Sequence, residues 1–238
     1  MATFVLVHGA WRGGWAWERV AKQLREAGHS VYAPSLTGLA ERHHLLNAGV
    51  NLTTHIQDIV SLIEFENLAD VVLCGHSSGG IVISGVADQI SERISSLVYL
   101  DAFVPQDGDS VFMLSSDAFQ LFEIKAAAQL GGGACVTVPA AAFALNEHDR
   151  AWFDKKCTAH PLASLIQGIR LKGDHLKVKR RMFVLAIWET EFPSPFKQFY
   201  DRLKDDPAWI IRTVESGHDV MLNDPLTVVK FLEEAADL

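Results

Sequence analysis

Acyl transfer needs a nucleophile, a base and an orienting acid; the sequence frames the first two and offers the third at two strand ends. The most informative stretch is Val71-Val72-Leu73-Cys74-Gly75-His76-Ser77-Ser78-Gly79-Gly80. An apolar run of strand type ends in Gly-x-Ser-x-Gly, and Ile81-Val82-Ile83 then opens a helix. A serine at such a strand-to-helix turn is held in strained backbone with its hydroxyl projecting from the sheet edge. Only one register fits. With Ser77 central the flanking positions are Gly75 and Gly79, whereas Ser78 would be flanked by His76 and Gly80. Ser77 is the candidate nucleophile; the plain alternative is a glycine-rich turn between a buried strand and a buried helix.

A serine hydroxyl attacks only when a base takes its proton. Of ten histidines, His218 stands in a glycine-flanked loop after the final strand and before the last helix. In a parallel sheet such loops gather on one edge, the edge of the serine turn. His218 is therefore the candidate base, and His76, inside the turn, reads as a packing or hydrogen-bonding residue. An oxyanion site needs two N–H donors converging on one point. The residue after the nucleophile, Ser78, offers one. Ala10, in the His8-Gly9-Ala10 loop after the first strand, offers the other, with His8 orienting that loop. Two strand ends offer the acid: Asp101, and Glu189 with Glu191 nearby.

The elements that must position these groups follow in order. Phe4 to Val7 reads as a buried strand. Trp17, Val20, Ala21 and Leu24 line one face of a helix stopped by Gly28, and Ser30 to Ala33 is the next strand. A long polar loop spans 35–52. Thr53 or Thr54 can cap a helix with Ile56, Ile59, Val60 and Ile63 on one face. The serine strand, its helix and a strand from Ile94 to Leu100 complete a β-α alternation, which argues for a parallel sheet covered on both faces. From 105 to about 180 the rhythm breaks. Asp117 is placed to cap a helix, Cys135 to Pro139 to form an extended piece, Asn146 to cap a second helix, and a short helix follows Pro161. This region reads as a helical insertion, a cap over a pocket. Then the sheet resumes with strands at 181–188 and 209–214, a helix at 195–203, and a closing helix from Pro225 to about Ala236, giving about six parallel strands. The reading is one domain: a core of about 1–104 and 181–238, with a cap insertion of about 105–180.

The chain of 238 residues is long enough for one substantial core, and its net charge of −8 without a basic stripe excludes nucleic acid as an expected partner. No apolar run approaches membrane-spanning length, and Met1-Ala2-Thr3 leads straight into a strand, so no leader and no membrane partner are expected. The three cysteines are a sparse, odd set; a cytoplasmic, reduced protein is expected, with a pairing of Cys135 and Cys157 left open. No zinc spacing is present among the histidines and cysteines, so neither a metal nor an organic cofactor is expected. The expected partner is a small-molecule ester; a homodimer is allowed but not demanded.

The His8-Gly9-Ala10-Trp11 loop, the Gly75 to Gly80 turn and Gly217-His218 together resemble the α/β-hydrolase superfamily. The likeness is greatest to the plant methylesterase and hydroxynitrile lyase group and its bacterial esterase-like relatives. It runs nearly the whole chain and is weakest in the insertion. It implies an α/β-hydrolase fold and a serine esterase, with Ser77 and His218 in a triad and oxyanion donors at Ala10 and Ser78. Hydroxynitrile lyases carry a threonine where this chain has Gly9 and a lysine where it has Asp219. The carboxylate would repel a departing cyanide, which argues against that activity. The plant enzymes place their acid where this chain has Glu189, whereas Tyr99 to Pro105 resembles the strand end that carries the acid in haloalkane dehalogenases. Asp101 is the preferred acid. A small, largely apolar carboxylic ester is the expected substrate, with carbamates or activated amides open to the same chemistry. The same residues also allow a ligand-binding protein on a hydrolase scaffold, or cofactor-free C–C bond cleavage.

Overall fold

The architecture of the computed structural model follows from strands whose alternate residues point into two separate apolar layers. The structure describes residues 1–130, 133–188 and 194–237, with Leu130 by its backbone alone. The elements run β1 (Thr3–Val7), α1 (Glu18–Glu26), β2 (Ser30–Tyr32), α2 (Leu52–Phe65), β3 (Val71–Ser77), α3 (Gly79–Ile90) and β4 (Ile94–Ala102). The segment after β4 holds α4 (Asp117–Leu130), β5 (Ala134–Cys135), α5 (Glu147–Lys156), β6 (His160–Pro161) and α6 (Leu162–Ile166). The sheet then resumes with β7 (Arg180–Ile187), α7 (Lys197–Leu203) and β8 (Ile210–Glu215), and the chain closes with α8 (Val220–Asn223) and α9 (Pro225–Ala235).

Six strands pair in parallel in the order β2-β1-β3-β4-β7-β8. The crossovers place α2, α3 and α7 on one face and α1 and α9 on the other. Strand alternation sorts the side chains. Val5, Val7, Leu73, Leu97, Tyr99 and Phe183 enter the first layer, and Phe4, Leu6, Cys74, Val98, Leu100 and Met182 the second. Burying each such Val or Leu contributes about 1.5–3 kcal/mol, which fixes the register of the central strands.

Several local expectations need adjustment. The cap of α2 is Asn51, whose side chain accepts from Thr54 N–H while the Thr54 hydroxyl reaches back, so Thr54 is the other half of a capping box. Helix α4 begins at Asp117, and the Ser116 hydroxyl accepts from Phe119 N–H at 3.3 Å. Asn146 does cap α5. The extended piece expected from Cys135 to Pro139 is only Ala134–Cys135, paired antiparallel with His160–Pro161. Short range explains these differences, because a one-residue offset in a cap changes little in the sequence pattern.

Candidate active site

Ser77 ends β3 with φ +54°, Ser78 is helical, and α3 starts at Gly79. The turn is too tight for a side chain behind the serine: a Cβ on Gly75 would lie 2.6 Å from the Gly79 carbonyl oxygen. Two further residues at this sheet edge adopt left-handed backbone, Asp101 at the end of β4 (φ +42°) and Trp11 after β1 (φ +64°). Each such residue costs about 1–3 kcal/mol, a strain characteristic of functional sites.

His218 and Asp101 meet here. The imidazole Nδ1 lies 2.7 Å from Asp101 Oδ2. Trp188 Nε1–H donates to the same oxygen at 3.1 Å, and Ala186 N–H donates to Oδ1 at 3.1 Å. Three converging N–H donors suit an ionised carboxylate, and a carboxylate only accepts, so Nδ1 carries the ring proton and Nε2 keeps its lone pair. Burial pushes the Asp101 carboxyl up, while the Ala186 and Trp188 donors pull against it. Burial likewise lowers His218 to about 3, with Asp219 raising it and Arg12 lowering it further, so the resting imidazole is neutral. Phe196 stacks on its ring at 5.0 Å and 7°. Glu189 and Glu191, the other strand-end carboxylates of the sequence, lie outside the described residues.

The loop after β1 abuts the serine. A Cβ on Gly9 would lie 2.7 Å from Ser77 Cβ, so the lyase threonine has no room at this position. His8 holds the loop: its Nε2 accepts from Leu36 N–H at 3.0 Å, so its Nδ1–H donates to Gly9 O at 2.8 Å. Fixing the Gly9 carbonyl fixes the Ala10 N–H of the same planar peptide. Among the described residues neither the Ala10 nor the Ser78 amide has a protein acceptor. His76 packs its ring 4.4 Å from that of His218 and bonds the His218 carbonyl through Nε2 at 3.1 Å, a supporting role.

Beside Ser78 a narrow cavity is lined by apolar Leu36, Leu52, Val82, Val111 and Leu165, with His55, His160 and Ser164. A wider hollow of about 280 Å³ is lined by Lys179 to Arg181 and Pro207 to Ile210, at the opposite ends of the strands from Ser77. No group of three or more histidine, cysteine, aspartate or glutamate side chains suited to a metal occurs among the described residues. Among them, too, Cys74, Cys135 and Cys157 are free thiols.

Arg12 was invisible in the sequence pattern. Its Nε and Nη2 donate to the two carboxylate oxygens of Asp219, both at 2.7 Å, and neither side chain is exposed. The carboxylate that stands where hydroxynitrile lyases carry a lysine is therefore an ion-paired one, its charge balanced by the guanidinium. Removing one partner of such a buried pair costs about 3–5 kcal/mol. Trp188, read as no more than a strand end, is also part of the site as a donor to Asp101. Neither role has a local signal, since each partner is distant in the chain.

Residues 4–231 match the Alpha/beta hydrolase family. The chain belongs to that family. It is 43% identical to the carbendazim hydrolyzing esterase of Nocardioides sp. (strain SG-4G) over 94% of this chain and 96% of that one. It is 35% identical to Methylesterase 7 of Arabidopsis thaliana over 43% of this chain and 40% of the plant protein, so that match spans well under half of each. An extracellular alpha/beta-hydrolase from a Paenibacillus species superposes with a TM-score of 0.85 at 24% identity over 99% of both chains, a likeness of fold. With family and full-length esterase likeness together, this family member is a carboxylic ester hydrolase. Among the described residues no helix is long and apolar enough to cross a membrane.

Proposed function

We propose that this hydrolase works through an acyl-enzyme on Ser77, with His218 as base, Asp101 as the orienting acid and the Ala10 and Ser78 amides as oxyanion donors. His218 Nε2 takes the Ser77 proton as Oγ attacks the ester carbonyl carbon. The carbonyl π electrons move to oxygen, and the two amides hold the resulting oxyanion; each such donor lowers the barrier by about 2.7–4 kcal/mol. The oxyanion collapses, the C–O bond to the alcohol breaks, and the imidazolium protonates the departing oxygen. Water then repeats the attack with His218 again as base, releasing the carboxylic acid.

The observation that carries this reading is the 2.7 Å contact of Asp101 with His218 Nδ1 at the edge where Ser77 turns out of β3. The residues between about 105 and 180 act as the cap, and the apolar lining beside Ser78 favours small, uncharged acyl groups. Carbamates fit the same oxyanion chemistry, and the 43% identical relative makes carbendazim the first such compound to assay. The three free thiols fit a reducing compartment such as the cytoplasm.

The test is pre-steady-state hydrolysis of p-nitrophenyl acetate. The wild type is expected to give a burst of p-nitrophenol stoichiometric with enzyme, and Ser77→Ala to lose it. A burst that survives Ser77→Ala overturns the assignment.

A further inference from the structure

The two loops that carry the Ala10 amide and His218 belong to opposite ends of the chain, yet one buried side chain joins them. Arg12 lies in the loop after β1. Besides its fork to Asp219, its Nη1 donates to the Ala10 carbonyl at 2.7 Å. Asp219 directly follows His218, 207 positions from Arg12. The guanidinium lies over the rings of Phe143 and Phe153, 4.5 and 5.1 Å from their centroids, and Arg12 is fully buried.

We propose that Arg12 and Asp219 act together as positioning residues, their fork locking the loop of the Ala10 amide to the loop of His218 and so setting oxyanion donor and base in register about Ser77. This inference rests on the acyl-enzyme reading of Ser77 and His218. A planar guanidinium engaged on three of its N–H groups fixes direction as well as distance, which a lysine ammonium cannot reproduce. A buried ion pair is seldom a net source of stability, so its contribution here is geometric.

The pair also balances charge at the base. His218 is faced by Asp101 from β4, by His76 from β3, by Asp219 on its own loop and by Arg12 from the β1 loop. Asp219 favours the protonated imidazole and Arg12 disfavours it. Removing either partner alone therefore moves the base in opposite directions, an electrostatic effect that a loss of fold stability alone does not produce.

The experiment measures kcat and kcat/KM for p-nitrophenyl acetate against pH in the full-length chain, with circular dichroism to certify folding. Arg12→Gln leaves Asp219 unbalanced and is expected to shift the acidic limb of kcat/KM up by about one pH unit; Asp219→Asn is expected to shift it down by about as much. The double variant is expected to return the limb to its wild-type position while kcat stays about 10²-fold low, the cost of misplacing a reacting group by about 1 Å. Arg12→Lys is expected to keep the limb and lower kcat by about tenfold, with KM little changed. Shifts in the same direction, no shifts, or a double variant with wild-type kcat overturn the proposal. If Arg12→Gln and Asp219→Asn fail to fold, the charge-balanced double variant and Arg12→Lys decide it by kcat. Ser77→Ala separates the two readings: turnover surviving in it removes the acyl-enzyme reading itself, whereas wild-type kcat in the double variant removes only the positioning role.

Discussion

Asp101→Asn is the substitution whose consequence follows most directly from the geometry. Oδ2 accepts from both His218 Nδ1 and Trp188 Nε1, while Oδ1 accepts from Ala186 N–H. An amide cannot satisfy all three. If its oxygen stays on Ala186, its NH₂ faces His218, and the imidazole must turn to the tautomer with the proton on Nε2. That nitrogen then cannot take the Ser77 proton. If the amide flips, the NH₂ meets Ala186 N–H and leaves a buried donor unpaired, at about 1–3 kcal/mol, and the imidazolium still loses its counter-charge. Either outcome disables the base, and kcat is expected to fall about 10⁴-fold. That equals about 5.4 kcal/mol at 1.36 kcal/mol per tenfold. The assay is steady-state hydrolysis of p-nitrophenyl acetate with Ser77→Ala as background and thermal melting as the folding control. Glu189→Gln, run in parallel, is expected to keep kcat near wild type. An Asp101→Asn protein that folds and retains kcat within about tenfold of wild type loses less than one buried hydrogen bond is worth, and refutes the assignment.

Two further outcomes test other parts of the site. Gly9→Thr brings a Cβ to 2.7 Å from Ser77 Cβ, so the loop must shift. A fall in kcat of about 10²-fold is expected with the fold intact by circular dichroism, and unchanged kcat would show that the loop does not set the oxyanion donor. Acid stability reports on the buried rings. Burial holds His8 at about 3 in the folded protein, against an unfolded value near 6.5. Below pH 6.5 the unfolded chain therefore binds a proton that folded His8 refuses, so its contribution is complete above pH 6.5 and is lost as pH falls toward 3. At pH 5 the loss is about 2 kcal/mol for this residue alone. His55, His76, His160 and His218 are lowered by burial in the same direction, and the raised Asp101 opposes them. Urea unfolding at pH 7 and pH 5 measures the difference, and His8→Gln is expected to reduce it by about 2 kcal/mol; equal slopes in the two proteins would refute this.

The sequence by itself determined whatever rests on local pattern. Alternating apolar runs separated by helical faces specify a parallel sheet, because a strand buried on both faces and a crossover helix leave different periodicities within a few residues. The glycine frame distinguishes Ser77 from Ser78 through steric limits that act inside the turn itself. The position of His218 after the last strand follows from strand polarity alone, since parallel strands send their ends to one edge. The tertiary structure decided the pairings. The sequence left Asp101 and Glu189 open because the contact with His218 spans 117 positions, and its distance depends on how β4, β7 and β8 stack side by side. Arg12 sits in a loop where nothing nearby distinguishes a solvated arginine from a buried one. Its partner lies 207 positions away, and only the closing of both loops onto the same sheet edge brings the two charges together in a place where each requires the other.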